Sequence, residues 1–167
     1  MSKAFTREDD ETEEPVLPTP VSLLPPGTKN FLTPGGAERL RADLVRLNDE
    51  RTAKLAHTAT DPEVKREVAQ LDQRIRYLQQ SLATAEIVQP PGAKADKVQF
   101  GSTVTVRGGH GAESVYRIVG VDEADFERNE VSWLSPIAKA LMNAKVGQKV
   151  PFKFPKGATE LEIVRIS

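Results

Sequence analysis

The chain has 167 residues, a formal net charge of −1 and 38% hydrophobic residues, enough for one ordinary domain or two small ones. It contains no cysteine, which excludes disulfide frameworks, thiolate metal sites and thiol nucleophiles and fits a reducing cytoplasm. No apolar run approaches the ~20 residues of a membrane helix, and the near-neutral balance supplies no global field for nucleic acid.

Residues 1–30 combine Glu8-Asp9-Asp10-Glu11 and Glu13-Glu14 with Pro15, Pro18, Pro20, Pro25 and Pro26. The acidic start is unlike a secretory leader, which is basic and then apolar. Such a composition cannot bury enough apolar surface to offset its ordering entropy, so a mobile, partly extended tail is expected over 1–30. Charge is uneven along the chain: residues 1–35 hold six acids against three bases, and residues 97–167 hold eight acids against ten bases.

Thr33-Pro34 is a cap followed by a helix-starting proline. Ala37, Leu40, Leu44 and Leu47 then recur at intervals of three and four, which predicts an amphipathic helix to about His57. The segment 58–62 is a turn with cap chemistry. Thr60 and Glu63 have capping-box spacing, and Asp61 before Pro62 is the alternative cap. A second helix follows, with Val64, Val68, Leu71, Ile75, Leu78, Leu82 and Ala85 in strict four-three alternation, the signature of a coiled-coil seam. Two such helices joined by a short turn run antiparallel, and ~24 residues in each gives a rod of roughly 36 Å. A single rod buries only a thin seam, so it should lean on something at its base. Arg51 and Lys54 occupy expected seam positions near the turn, so the tip should pack less tightly.

The segment 89–96 is a linker by composition. Beyond it, residues 97–167 read as mostly strand. Val98, Phe100, Val104 and Val106 alternate partially around Gly101, and Val115–Val119 follow the glycine-rich turn 108–111. Residues 150–154 and 161–166 alternate more cleanly on either side of Pro155-Lys156-Gly157. Between them, the stretch Val131 to Met142 should begin as a strand, turn at Ser135-Pro136 and continue as a short helix over 136–144. Ser135 is a good cap, and Pro136 falls where its missing N–H costs nothing. The expected architecture is α+β: a helical hairpin over 31–88 and a small antiparallel sheet with one short helix over 97–167.

Several pieces resemble one family, the Gre transcript-cleavage factors of bacterial RNA polymerase. They are residues 98–106, Tyr116 to Gly120, Asp122-Glu123-Ala124-Asp125-Phe126, Ser135-Pro136-Ile137-Ala138 and Val146-Gly147, with 36–40, Asp43-Leu44, 72–78 and 85–88 in the hairpin. The resemblance covers about residues 31–167. It implies an FKBP-like C-terminal domain that docks on RNA polymerase around Trp133, Leu134, Ser135, Pro136 and Ile137, and a coil that descends the secondary channel toward backtracked RNA. It also implies an accessory factor that is not itself an enzyme, acts as a cytoplasmic monomer without membrane partners, and has no cofactor of its own.

In that family two acids at the coil tip help the polymerase hold a shared Mg2+, and carboxylates are suitable hard ligands. Here the candidates are Asp61 and Glu63. They stand two apart where the family's acids stand three apart, and the coil is about one heptad shorter per arm, or roughly 10 Å. Helix capping and dipole compensation are the favoured reading of both acids. Lys65, Arg66, Arg74 and Arg76 are the candidate RNA-facing bases, the alternative being a solvated face balanced by Glu67 and Asp72. Two other readings stay open. One is a non-cleaving channel regulator, or a short-coil relative resembling the regulators of nucleoside diphosphate kinase. The other is a peptidyl-prolyl isomerase, which rests on fold analogy alone and against which the domain offers few aromatics to line a proline pocket, Phe100, Tyr116, Phe126, Trp133, Phe152 and Phe154, several of them needed for the core.

Overall fold

A computed structural model describes residues 24–58 and 60–167. The acidic stretch expected to be a tail lies outside the described residues up to residue 23. Its expected end at residue 30 is too late. Asn30 is buried and opens β1 (Asn30–Leu32), with its side-chain amide donating to the Ser81 carbonyl at 2.9 Å.

Thr33 caps α1 (Pro34–Thr58), its hydroxyl oxygen accepting from the Gly36 amide at 3.0 Å. Asp61 is the cap of α2 (Pro62–Thr84), accepting from the Glu63 amide at 2.8 Å. Of the two caps open to the sequence, the structure uses the one that lets Pro62 start the helix. The hairpin seam buries Ala37, Leu40, Leu47, Ile75 and Leu78 together with Leu32. Each large side chain so buried contributes about 1.5–3 kcal/mol. Past Leu47 the seam changes character. Arg51 pairs with Asp72, and Lys54 reaches Glu67 at 2.6 Å, both from one helix to the other. Leu55 is exposed.

Ala85, placed in the seam by its spacing, begins β2 (Ala85–Ile87) instead, which pairs in parallel with β1. This two-stranded ribbon carries both hairpin ends onto the C-terminal domain. The pairing joins residues more than 50 positions apart, a contact that local periodicity does not reveal.

The C-terminal sheet has strands β3 (Thr103–Arg107), β4 (Glu113–Val119), β5 (Glu130–Ser132), β6 (Lys149–Phe154) and β7 (Gly157–Ile166), in the order β5-β4-β3-β7-β6. The expectation of an antiparallel sheet needs correction, because β4 and β5 are parallel and the sheet is mixed. The connection from β4 to β5 is a loop with two single 3-10 turns, Val121–Glu123 and Phe126–Arg128, that carries the chain back before β5 begins. Nor do residues 98–100 join a strand. The Val98 amide donates to Ala144 O and its carbonyl accepts from Asn143 N, both at 2.9 Å, so Val98 closes the bottom of the core. Gly101 then turns with φ +83°, where a Cβ would press on Pro90.

α3 (Pro136–Leu141) covers one face of the sheet and buries Ala138 and Leu141 with Val104, Ile118 and Ile163. It stops three residues earlier than expected, because Asn143 takes a left-handed turn at φ 64°.

Candidate functional site

The Ser-Pro corner grows out of β5. The Trp133 amide donates to Val119 O at 2.9 Å, and the Ser135 amide returns to Ser132 O at 2.9 Å. Ser135 caps α3, with its hydroxyl oxygen 3.3 Å from the Ala138 amide. Pro136 is exposed, while Leu134, Ser135 and Ile137 are half-buried and Ile137 packs against the sheet core. Trp133 is half-buried like these neighbours, its ring 5.1 Å from that of Phe31 in β1, which is itself 5.6 Å from Phe100. The outward surface of the corner is Pro136 with the edges of Trp133, Leu134, Ser135 and Ile137.

At the far end, Asp61 and Glu63 are exposed on the first turn of α2. One Asp61 oxygen is engaged by the Glu63 amide as a cap. Among the described residues, no group of three or more histidines and carboxylates converges to hold a metal ion. Behind the tip, Glu67 accepts a hydrogen bond from Lys54, which holds the ammonium pKa above its ordinary value.

Lys65, Arg66, Arg74 and Arg76 are all exposed on α2. The acids expected to balance them are engaged elsewhere, Glu67 with Lys54 and Asp72 with Arg51. Among the described residues none of the four bases has an ion pair. At 3.6 residues per turn, Lys65 and Arg76 fall on nearly one line. Arg66 and Arg74, about 80° apart around the axis, bracket the outer flank that descends to the half-buried Tyr77 and the buried Ser81, with Arg74 over the Tyr77 ring at 5.5 Å.

The joint between hairpin and sheet was missed as a site. Of its residues, Thr33 was read only as a cap, Arg39, Tyr77, Asp122 and Glu123 only as points of resemblance, and Ser81 and Glu130 not at all. Glu123 is buried: its Oε2 accepts from the Thr33 amide at 2.9 Å and the Gly120 amide at 2.8 Å, and its Oε1 accepts from the Thr33 hydroxyl. One carboxylate thus fastens the cap of α1 to the end of β4. Gly36 admits it, because any Cβ there would overlap the Glu123 carboxylate. Glu130, also buried, takes a two-pronged bond from Arg39 at 3.0 and 3.3 Å. Asp122 accepts from the hydroxyls of Tyr77 and Ser81. The signal available in the sequence was a cluster of three acids, Asp122, Glu123 and Asp125, just after the apolar strand end at Val119-Gly120.

The aromatics form no common pocket lining. Phe100 and Trp133 pack on the sheet core, Phe152 and Phe154 sit 6.1 Å apart on β6, and Phe126 is 95% exposed on its 3-10 turn.

Comparison with known proteins matches residues 93–167 to a family model described as "Transcription elongation factor, GreA/GreB, C-term". The chain is 36% identical over 153 residues to transcription elongation factor GreB of Neisseria meningitidis serogroup A, covering 83% of this chain and 94% of that protein. It is 36% identical over 149 residues to GreA of Trichlorobacter lovleyi, covering 81% and 94%. Among solved structures, Gfh1 of Thermus aquaticus is 26% identical, with a TM-score of 0.41 over 83% of this chain and 97% of that one.

Proposed function

The chain belongs to the GreA/GreB family of transcription elongation factors, and on that premise we propose that it docks on RNA polymerase through the Ser135-Pro136 corner and directs its coil into the secondary channel. It is an accessory factor and not itself an enzyme. The observation that carries the reading is the joint. Glu123, Glu130 and Asp122 fix the base of the hairpin to the domain bearing the corner. A coil held this way transmits the docking position to its tip, about 35 Å away. In this reading the factor acts as a cytoplasmic monomer, and Lys65, Arg66, Arg74 and Arg76 face the backtracked RNA, where cations offset phosphate charge.

The tip residues fit a shared magnesium and not a resident one. Asp61 and Glu63 offer hard oxygen donors, but one oxygen is spent on the cap and two carboxylates cannot fill an octahedral shell. When held by the polymerase, Mg2+ supplies charge stabilisation to the phosphoryl oxygens. The chain's part is to add negative field beside it and to exclude competing occupants of the channel. The engaged cap oxygen and the short coil favour weak stimulation of cleavage over strong. They also support the second reading, a secondary-channel regulator that docks without promoting cleavage.

One assay on stalled, backtracked complexes tests both parts. Pro136→Asp places a charge where an apolar contact is expected and should weaken polymerase binding at least about tenfold while the domain stays folded. Asp61→Asn with Glu63→Gln should abolish whatever cleavage stimulation exists while binding persists, because Asn remains a competent cap. A folded Pro136→Asp variant that binds as tightly as wild type sinks the docking assignment. Full stimulation by the double variant sinks the tip assignment.

A further inference from the structure

We propose that the acidic run 8–14 of this chain docks on the outer face of its own α2, across Arg66 and Arg74. The described chain begins at Leu24, which lies in a cleft with Tyr77, Gln80 and Ser81 on the last turns of α2. Arg74 stacks over that same Tyr77. The segment before Leu24 therefore emerges beside the lower end of the basic face.

Charge and reach agree. Residues 1–23 carry six acids against two bases, and the six acids all fall within 8–14. The outer face of α2 presents Arg66 and Arg74, while the neighbouring acids Glu67 and Asp72 are held by bases of α1. Arg74 stands about 5 Å and Arg66 about 17 Å up the helix from Tyr77. Glu14 is ten residues before Leu24. A flexible segment of that length spans about 16–19 Å, and one stiffened by proline approaches 31 Å. Pro15, Pro18 and Pro20 lie within it. The acids thus fall at the level of the arginines without strain. Individual exposed pairs are weak, so the docking is collective and sensitive to salt. It would stand without the polymerase reading. Only its consequence, shielding of the coil bases from an anionic transcript, rests on that reading.

The absence of cysteine makes the test direct, because Thr12→Cys gives a single attachment point for a nitroxide inside the acidic run. At about 20 mM NaCl the amide resonances of residues 66–77 should lose about half their intensity or more, and recover near 0.5 M NaCl, where the Debye length is only a few ångströms. They should also recover in the Arg66→Gln, Arg74→Gln background. Loss no greater than that caused by free nitroxide, or loss that survives the double substitution, overturns the proposal. So does equal broadening when isotope-labelled chains without nitroxide are mixed with unlabelled chains that carry it, since the acceptor would then be a second copy.

Discussion

At the base of the hairpin, Leu32 and Leu78 are fully buried beside a carboxylate, Glu123, that satisfies three donors from two separate segments. At the tip the same two helices meet through Lys54–Glu67 and Arg51–Asp72, and the nearby Leu55 is 39% exposed. The base is close-packed, and its buried carboxylates Glu123 and Glu130 are held by several donors, which specifies its geometry. The tip half buries Val68 but otherwise joins its helices through part-exposed ion pairs, which contribute little and are screened. The division leaves the hairpin held at its base and polar along the part that projects into solvent.

The sharpest way to break the comparison is at Glu123. Glu123→Ala strands the Thr33 and Gly120 amides and the Thr33 hydroxyl in a buried site. Each abandoned donor costs about 1–3 kcal/mol, and the whole change should cost about 3–5 kcal/mol. Urea unfolding followed by circular dichroism should show the lower midpoint. Because Thr33, the cap of α1, loses its anchor, amide exchange should accelerate first in the ribbon and the start of α1. A midpoint within error of wild type would show that the carboxylate is not what fixes the joint.

A second pair of changes sharpens the contrast within one residue type. Leu78→Ala empties a fully buried position and should cost about 2–5 kcal/mol, depending on how far the seam collapses. Leu55→Ala removes a half-exposed side chain near the turn and should cost about 0.5 kcal/mol or less. Equal losses, read from the same unfolding curves, would mean that the tip seam is as well packed as the base.

How much of this was readable beforehand follows the same division. The helices were legible because Ala37, Leu40, Leu47, Ile75 and Leu78 repeat at helical intervals and Asp61-Pro62 is a start signal. The Ser135 cap and α3 were legible for the same local reasons. What escaped depends on partners distant in sequence. The β1–β2 ribbon has three-residue strands with no periodicity to detect. The parallel pairing of β4 and β5 is decided by the loop between them, and Val98 and Phe100 alternate like a strand while closing a core. Trp133 illustrates the limit for sites. A lone tryptophan beside the corner is compatible with core or interface, and its contact with Phe31 at 5.1 Å comes from a segment about 100 residues away that no local pattern reveals. The tip acids were legible as candidates, but the engagement of Asp61 with the Glu63 amide depends on which cap the turn selects.

The smallest effect lies in the Lys54–Glu67 pair and can be separated by its pH dependence. The hydrogen bond from Lys54 to Glu67 raises the ammonium pKa in the folded chain above its ordinary value of 10.5. A raised pKa means that folding favours the protonated lysine. The pair's stabilisation is therefore fully present below the ordinary value and fades as pH rises through the folded one. Since the pair is part-exposed and screened, its size should be small at any pH, so the useful readout is a difference between two proteins. Lys54→Met keeps the aliphatic stem and removes the charge. Wild type should melt slightly above Lys54→Met at pH 8, and the gap should close at a second, alkaline pH above the pKa of the folded lysine. Backbone effects of alkali act on both proteins and cancel in the gap. A gap that is the same at both pH values would show that Lys54 supports the tip by packing its stem, and the tip would then be closer in kind to the base than the ion pairs imply.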